Sequence, residues 1–450
     1  MAEAVISELE AEIGSDLERF AVPGASWALI EGGEIVHEGC LGLMAADRRD
    51  PVTPATLFQA CSISKPVAAL AMLRLVDRGQ LELDEDVNGR LTSWRVHPLE
   101  SWQPVVTLRQ LVSHSAGLTT SGFPGYRWRD ALPTTVEVLD GIGPANTFAV
   151  RVDTVPGLQF RYSGGGTMVM QQLLEDVTGT PLRELVRELV LEPLGMGDSE
   201  YAQPLPEDLH DRAAVAHDEV GRPIEGRWHT YPELAAAGLW TTPGDLARFA
   251  IGIQRTYAGA DDALLSPALA HELLTPQIDA GERVGGLSQL GLGLFLGGAG
   301  PASRFGHQGG NVGFRCYLLA YRDTGQGAAV MTNGENGNWV VQRAFARISS
   351  ACGWPDFPQE LPERDIPDEA TLAAFAGTYD LRGQPISITR DGGHLLVGFP
   401  GQQPIEFVPQ SADSFAGWID AEIRFDLAGE APALVVSQNG EEFVCPMLHG

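Results

Sequence analysis

Ser62-Ile63-Ser64-Lys65 sets the only lysine of the chain three residues after a serine. The other 29 basic residues are all arginine. Arginine holds its proton throughout the pH range of proteins, whereas a lysine amine releases it near neutrality in dry or positively charged surroundings. Residues i and i+3 of a helix lie about 5–6 Å apart at Cβ, so a helix starting near Ser62 would carry the Lys65 amine to the Ser62 oxygen. The positive N-terminal field of that helix would also favour an oxyanion there. Pro66 in the first turn costs little, because most N–H groups of that turn lack partners anyway. Alone, Ser62 reads as a helix N-cap. Paired with the sole lysine, it reads as a nucleophile activated by an adjacent amine.

Two further stretches carry compatible chemistry. In Phe160-Arg161-Tyr162-Ser163-Gly164-Gly165-Gly166 a tyrosine precedes three glycines. A tight loop is expected there, with backbone free to approach a substrate and a phenol able to relay a proton. In Phe305-Gly306-His307-Gln308-Gly309-Gly310-Asn311 glycines flank a histidine. An edge strand is expected, with free N–H groups facing ligand. One of these, together with the Ser62 N–H, would make an oxyanion hole.

These three elements, in this order and spacing, resemble the serine β-lactamase and penicillin-binding-protein superfamily, in its class C-like branch with related esterases and D-amino-acid peptidases. Ser62 to Lys65 stand as the SxxK motif, Tyr162-Ser163-Gly164 at the YxN position and His307-Gln308-Gly309 at the KTG position. Leu111-Val112-Ser113-His114-Ser115-Ala116-Gly117-Leu118 and Ala237-Gly238-Leu239-Trp240-Thr241-Thr242 also look familial, and the likeness runs over roughly residues 10–350. The resemblance implies Ser62 as acylated nucleophile, Lys65 as its base and Tyr162 as proton relay, with Lys65 and Tyr162 treated as a coupled pair. It further implies an oxyanion hole from the Ser62 and Gly310 N–H groups, with His307, Gly309 and Gly164 lining the substrate site. Two departures matter. Gly164 removes the side-chain amide of the YxN motif, and His307 replaces a permanent cation. Both favour esters, amides or short peptides over β-lactams.

The elements that must position these residues can be read along the chain. Val5, Leu9, Ile13, Leu17 and Phe20 recur at helical spacing. A hairpin follows around Glu31-Gly32-Gly33. Helical signals dominate from about 62 to 285, including Val67–Val76 closed by Gly79 and Met168–Val177 closed by Gly179. Strand-like runs return at 290–334, and a helix is expected from Asn338 to Ser350. This order predicts an α+β fold: an α/β sandwich with an antiparallel sheet (about 20–60 and 288–350) interrupted by an all-helical subdomain (about 66–285), together forming a hydrolase domain over 1–352. Pro355, Pro358, Pro362 and Pro367 mark a linker over 353–369. Residues 370–450 hold about eight short strand-like runs, with turns such as Gly392-Gly393 and Asn439-Gly440, and predict a small closed antiparallel β-barrel. That barrel is similar to the lipocalin-like C-terminal domain of some superfamily members.

A net charge of −29 and a pI near 4.6 argue against nucleic-acid or anionic-membrane partners. No stretch approaches the roughly 18 apolar residues of a membrane span. The acidic start Met1-Ala2-Glu3-Ala4 lacks a basic n-region and an apolar h-region, so a cytoplasmic location is expected. Five scattered cysteines without a CxxC pair exclude a disulfide framework and a structural zinc site. Cys61 is expected to be a buried apolar residue rather than a thiol nucleophile. His271-Glu272 lacks the second histidine of a zinc-protease motif, and no GxSxG or GxxxxGK[ST] occurs. His114 reads as a structural histidine bonding a loop, and Trp94, Trp102, Trp128, Trp228 and Trp240 as core. No metal or organic cofactor is implied. The expectation is a serine hydrolase of small-molecule esters, amides or D-amino-acid-type peptides. A β-lactamase or DD-peptidase of the same fold is the nearest alternative, and a catalytically silent ligand-binding protein the alternative of another class. Oligomeric state is left open.

Overall fold

The computed structural model describes residues 3–284, 287–357, 367–399, 404–417, 421–426, 433–438 and 441–448. The chain forms two compact units, Met1–Phe357 and Pro358–Gly450.

Helix α1 (Glu3–Arg19) opens the first unit and buries Leu9, Ile13 and Leu17, one residue per turn on a single face. Strands β1 (Gly24–Glu31) and β2 (Glu34–Gly42) form the expected hairpin. After them comes helix α2 (Ser64–Asp77), buried along almost its whole length from Ser64 to Leu75. A helix apolar on every side has no solvent face to offer, so it becomes the axis of the helical mass. Helices α3 (Gly164–Thr178), α4 (Leu234–Ala237) and α5 (Pro243–Tyr257) are the other members of that mass used below.

The sheet then resumes with β3 (Ile278–Val284), β4 (Leu287–Leu290), β5 (Phe295–Gly297), β6 (Arg304–Asn311), β7 (Phe314–Tyr321) and β8 (Gly327–Thr332). It is antiparallel throughout, in the order β2-β1-β8-β7-β6-β5-β4-β3. Chain-distant β1 and β8 pair as the second and third strands from one edge, Trp27 opposite Val330, so the sheet joins the segments on either side of the helical mass. Helix α6 (Gly337–Ala351) packs on the same face as α1, and Val340, Val341, Ala344 and Ile348 join the core between them. Trp354 and Phe357 extend this core, their rings 5.7 Å apart.

Three expectations need correction. The sheet resumes at Ile278, inside the span expected to be helical to 285. Strand β6 is not an edge strand, because β7 and β5 flank it. Its pairing with β5 nevertheless ends at Gly306, which leaves one side of His307–Asn311 without a strand partner. The glycines after Tyr162 form no loop: Gly164 to Gly166 are the first turn of α3, with Ser163 as its N-cap.

The second unit is an eight-stranded antiparallel sheet in sequential order, from Gly377–Leu381 to Glu441–Pro446. A bridge between Tyr379 and Met447 brings its ends together, and the strands alternate buried and exposed residues as over Ala421–Asp426. Phe375, from a short preceding helix, stacks on Phe425 inside it at 3.9 Å. The Asn439-Gly440 turn and most of the expected proline-rich linker lie outside the described residues. No helix among the described residues is long and apolar enough to cross a membrane.

Candidate active site

The nucleophile candidate sits at a bend. Ala60-Cys61-Ser62-Ile63 makes a single 3₁₀ turn that leads directly into α2. Cys61 takes φ of 52°, a left-handed conformation that costs a non-glycine residue free energy and lifts Ser62 out of the core. The two serines of the motif separate clearly. Ser64 is fully buried, with Oγ donating to Cys61 O at 2.6 Å and accepting from Leu239 N at 3.1 Å. Its carbonyl accepts from the Tyr201 hydroxyl. Ser62 is half-buried and keeps its hydroxyl for Lys65.

Lys65 is 5 % exposed. Its Nζ donates to Ser62 Oγ at 3.0 Å and to Ala236 O at 2.8 Å. Ala236 lies in α4, whose last carbonyls have no helical partner, so the amine satisfies a group the helix leaves open. The amine also lies 5.1 Å from the centre of the Tyr162 ring, within reach of its π face. Tyr162 is held in an aromatic frame. His114 lies 4.3 Å from it, ring centre to ring centre, and Phe295 stacks on it at 6.4 Å and 17°. The Nδ1 of His114 accepts from Ser163 N at 3.2 Å, which ties this histidine to the chain beside Tyr162. His114 thus makes the structural bond expected of it, and its ring also packs on Tyr162.

His307, on β6, stands 6.2 Å from Tyr162 and 5.2 Å from Phe295 between ring centres. Its Nδ1–H donates to Gln308 O at 2.6 Å, so Nε2 carries the lone pair. That Nε2 is buried and has no hydrogen-bond partner among the described residues. Burial, reinforced by the Lys65 charge, pushes the imidazole down to about 3. His114 is pushed the same way, by burial first and then by Lys65 and His307. Both rings are thus neutral, and His307 supplies no substitute for a lysine cation.

Gly309 explains why β6 can lie against the Ser62 turn. A Cβ there would stand 2.6 Å from Ala60 O, 2.6 Å from Cys316 Sγ and 2.9 Å from Cys61 Cβ. Only glycine lets the strand approach this closely. Cys61 is fully buried, its thiol donating to Gln59 O, in keeping with a packing role. Gly310, one residue on, is exposed. Ser62, Lys65, Tyr162, His307 and Gly309 thus meet at one junction of sheet and helices, with Gly310 exposed and Gly164 two residues after Tyr162 at the start of α3.

Sequence reasoning missed Ala236 O as the second acceptor for Lys65, and Phe295 as the ring shared by Tyr162 and His307. It also missed Glu233. This N-cap residue of α4 is fully buried, and neither carboxyl oxygen has a partner among the described residues. Burial raises it to about 7. Ala236 lies 171 residues from Lys65 and Phe295 lies 133 residues from Tyr162, and no local pattern announces either contact. Of the five tryptophans expected in the core, Trp94, Trp228 and Trp240 are buried, whereas Trp102 and Trp128 are exposed.

An antiparallel sheet beneath a helical mass, with a serine and a lysine paired where they meet, is the architecture of a serine-hydrolase class. The chain belongs to the Beta-lactamase family, whose model matches residues 9–352. It is 29% identical over 284 residues to Esterase EstB of Burkholderia gladioli, covering 58% of this chain and 69% of the esterase. It is 26% identical over 373 residues to Penicillin-binding protein 4 of Amycolatopsis lactamdurans, covering 80% and 94%. Among solved structures it is similar to the octameric penicillin-binding protein homologue from Pyrococcus abyssi, with a TM-score of 0.69, 23% identity and coverage of 98% and 99%. It is also similar to D-amino acid amidase from Ochrobactrum anthropi SV3, with a TM-score of 0.63, 21% identity and coverage of 78% and 99%. At these identities the structural likenesses establish the fold alone.

Proposed function

We propose that the protein hydrolyses small esters, amides or short D-amino-acid-type peptides through an acyl-enzyme on Ser62. One observation carries this reading: the only lysine of the chain is buried and donates to the half-exposed Ser62 hydroxyl at 3.0 Å. A base must sit within hydrogen-bond reach of the hydroxyl whose proton it takes, and this amine does.

In the proposed sequence, Ser62 Oγ attacks the substrate carbonyl carbon as its proton passes to the Lys65/Tyr162 pair. The oxyanion is held by the Ser62 and Gly310 N–H groups. Collapse breaks the bond to the leaving alcohol or amine, which takes the proton and departs. Water then attacks the Ser62 ester, gives a proton to the same pair, and Ser62 recovers its own as the acid leaves. The unsatisfied Nε2 of His307 is an acceptor, suited to a substrate N–H rather than a carboxylate. This favours esters and amides over β-lactams, in line with the esterase and amidase among the similar proteins.

The test is hydrolysis of p-nitrophenyl butyrate by wild type, Ser62→Ala and Lys65→Arg across pH. Arginine keeps the charge and the bond to Ala236 but not the removable proton, so both variants should lose about 10²–10⁴-fold in kcat/KM. Equal rates in all three proteins would reject the mechanism and bring forward the ligand-binding alternative.

A further inference from the structure

Gly164 has no room for the amide it lacks. A Cβ built on it would lie 2.8 Å from Cε2 and 3.4 Å from Cδ2 of Phe123, and 3.2 Å from Ser121 O. The space is taken by the segment running from Gly117 to Phe123, and that segment is fastened in place. Gly164 N donates to Ser121 O at 3.1 Å, Gly165 N to Thr120 O at 3.0 Å, and Ser163 Oγ to Thr119 O at 2.8 Å. From its other side, Thr119 N donates to Arg151 O at 2.9 Å. The open N–H groups at the start of α3 are thus satisfied by loop carbonyls, and the Phe123 ring is delivered half-buried onto the place where a side chain at 164 would grow.

The neighbouring Tyr162 is framed by Phe295 and the neutral rings of His114 and His307, and the Lys65 amine over its face is already engaged by Ser62 and Ala236. Position 164 offers a polar substrate arm no side-chain amide to replace its lost water, and burying it unpaired would be costly. An apolar arm meets aromatic surface.

Building on the hydrolase reading, we propose that Phe123 is a specificity-determining residue, and that it selects substrates carrying an extended apolar arm beside the scissile carbonyl. The glycine at 164 and the phenylalanine at 123 are one device, the first making room for the second.

Two p-nitrophenyl esters, acetate and octanoate, give the selectivity ratio of wild type, Phe123→Ala and Phe123→Leu. A parallel pair, methyl and octyl acetate, places the arm on the alcohol side. Removing the ring should lower kcat/KM for the long ester about tenfold relative to the short one, in at least one series. Leucine should restore most of the ratio, and acetate hydrolysis should persist throughout. An unchanged ratio in both series, with turnover still abolished by Ser62→Ala, would overturn the inference and leave the hydrolase reading standing. A readout free of catalysis is calorimetric binding of octanamide to Ser62→Ala with and without Phe123→Ala. With N-octylacetamide as the second ligand, placing the arm on the leaving-group side, about tenfold weaker binding of at least one of the two is expected on loss of the ring, and equal affinity for both would overturn the inference even for a protein that hydrolyses neither ester.

Discussion

His307 should make the first unit lose stability in acid in a way that a glutamine at the same position does not. Burial and the Lys65 charge lower the folded-state imidazole from 6.5 to about 3. In the unfolded chain the ring regains its ordinary affinity for a proton. Below pH 6.5 the unfolded state therefore binds a proton that the folded state refuses, and stability falls with pH until about 3, where both are protonated. The full difference corresponds to about 5 kcal/mol, at about 1.4 kcal/mol per pH unit. By pH 4.5 about 3 kcal/mol of it should already be gone. Such a loss is a large part of the 5–15 kcal/mol typical of folded domains, hence readily measured. The assay is urea unfolding at pH 7.5 and 4.5, followed by fluorescence of buried Trp27 and Trp240, for wild type and His307→Gln. His114 is present in both proteins, so its own acid titration largely cancels in the comparison. Wild type should lose about 3 kcal/mol more than the variant over this interval. Parallel losses would refute a buried neutral histidine, and with it the argument that position 307 offers an acceptor rather than a cation.

Three further outcomes are expected. Gly309→Ala should destabilise by about 1–3 kcal/mol, because its Cβ meets the carbonyl of Ala60 and the Cys316 sulfur at 2.6 Å. It should also lower kcat/KM by about 100-fold by displacing the Ser62 turn; full activity would show that β6 does not set that turn. Glu233→Gln should act in the opposite pH sense to His307: a carboxyl raised from 4.5 to about 7 leaves stability intact in acid and removes it as pH rises through 7. Wild type should therefore be weakened at pH 8 by about 3 kcal/mol, an effect that thermal unfolding should find missing in the variant. Finally, Ser64→Ala should cost stability by breaking its bonds to Cys61 and Leu239, yet leave ester turnover within a few-fold of wild type, in contrast to Ser62→Ala.

What could be read in the sequence and what could not divide along the range of the forces involved. The α1 stripe, the β1–β2 hairpin and the eight strands of the second unit follow from periodicities of a few residues, which neighbouring side chains impose directly. Lys65 was visible because composition made it singular, and its i, i+3 spacing needs only a helix to become a contact. The Gly164–Gly166 run was misjudged as a loop because glycine is a poor helix former in isolation. Here the carbonyls of Thr120 and Ser121 satisfy the first N–H groups of α3, and the packed loop leaves no space for side chains. Tertiary contact has overridden propensity.

Charge state is the property least available to sequence. At the KTG position a histidine suggests, by type, a titratable group near neutrality. Its neutral form follows only from burial, from the Gln308 carbonyl that fixes its tautomer, and from an amine that arrives from residue 65. The same amine depends on Ala236 O, and so on α4, whose N-cap is the unpaired Glu233. The Lys65 amine thus stands among aromatic rings and two neutral histidines, and is tied to Glu233 only through α4. If that arrangement is what makes Ser62 reactive, the pH at which turnover fails should move with Glu233→Gln as well as with the residues that touch substrate. A pH–rate profile unchanged by that substitution would confine Glu233 to stability alone.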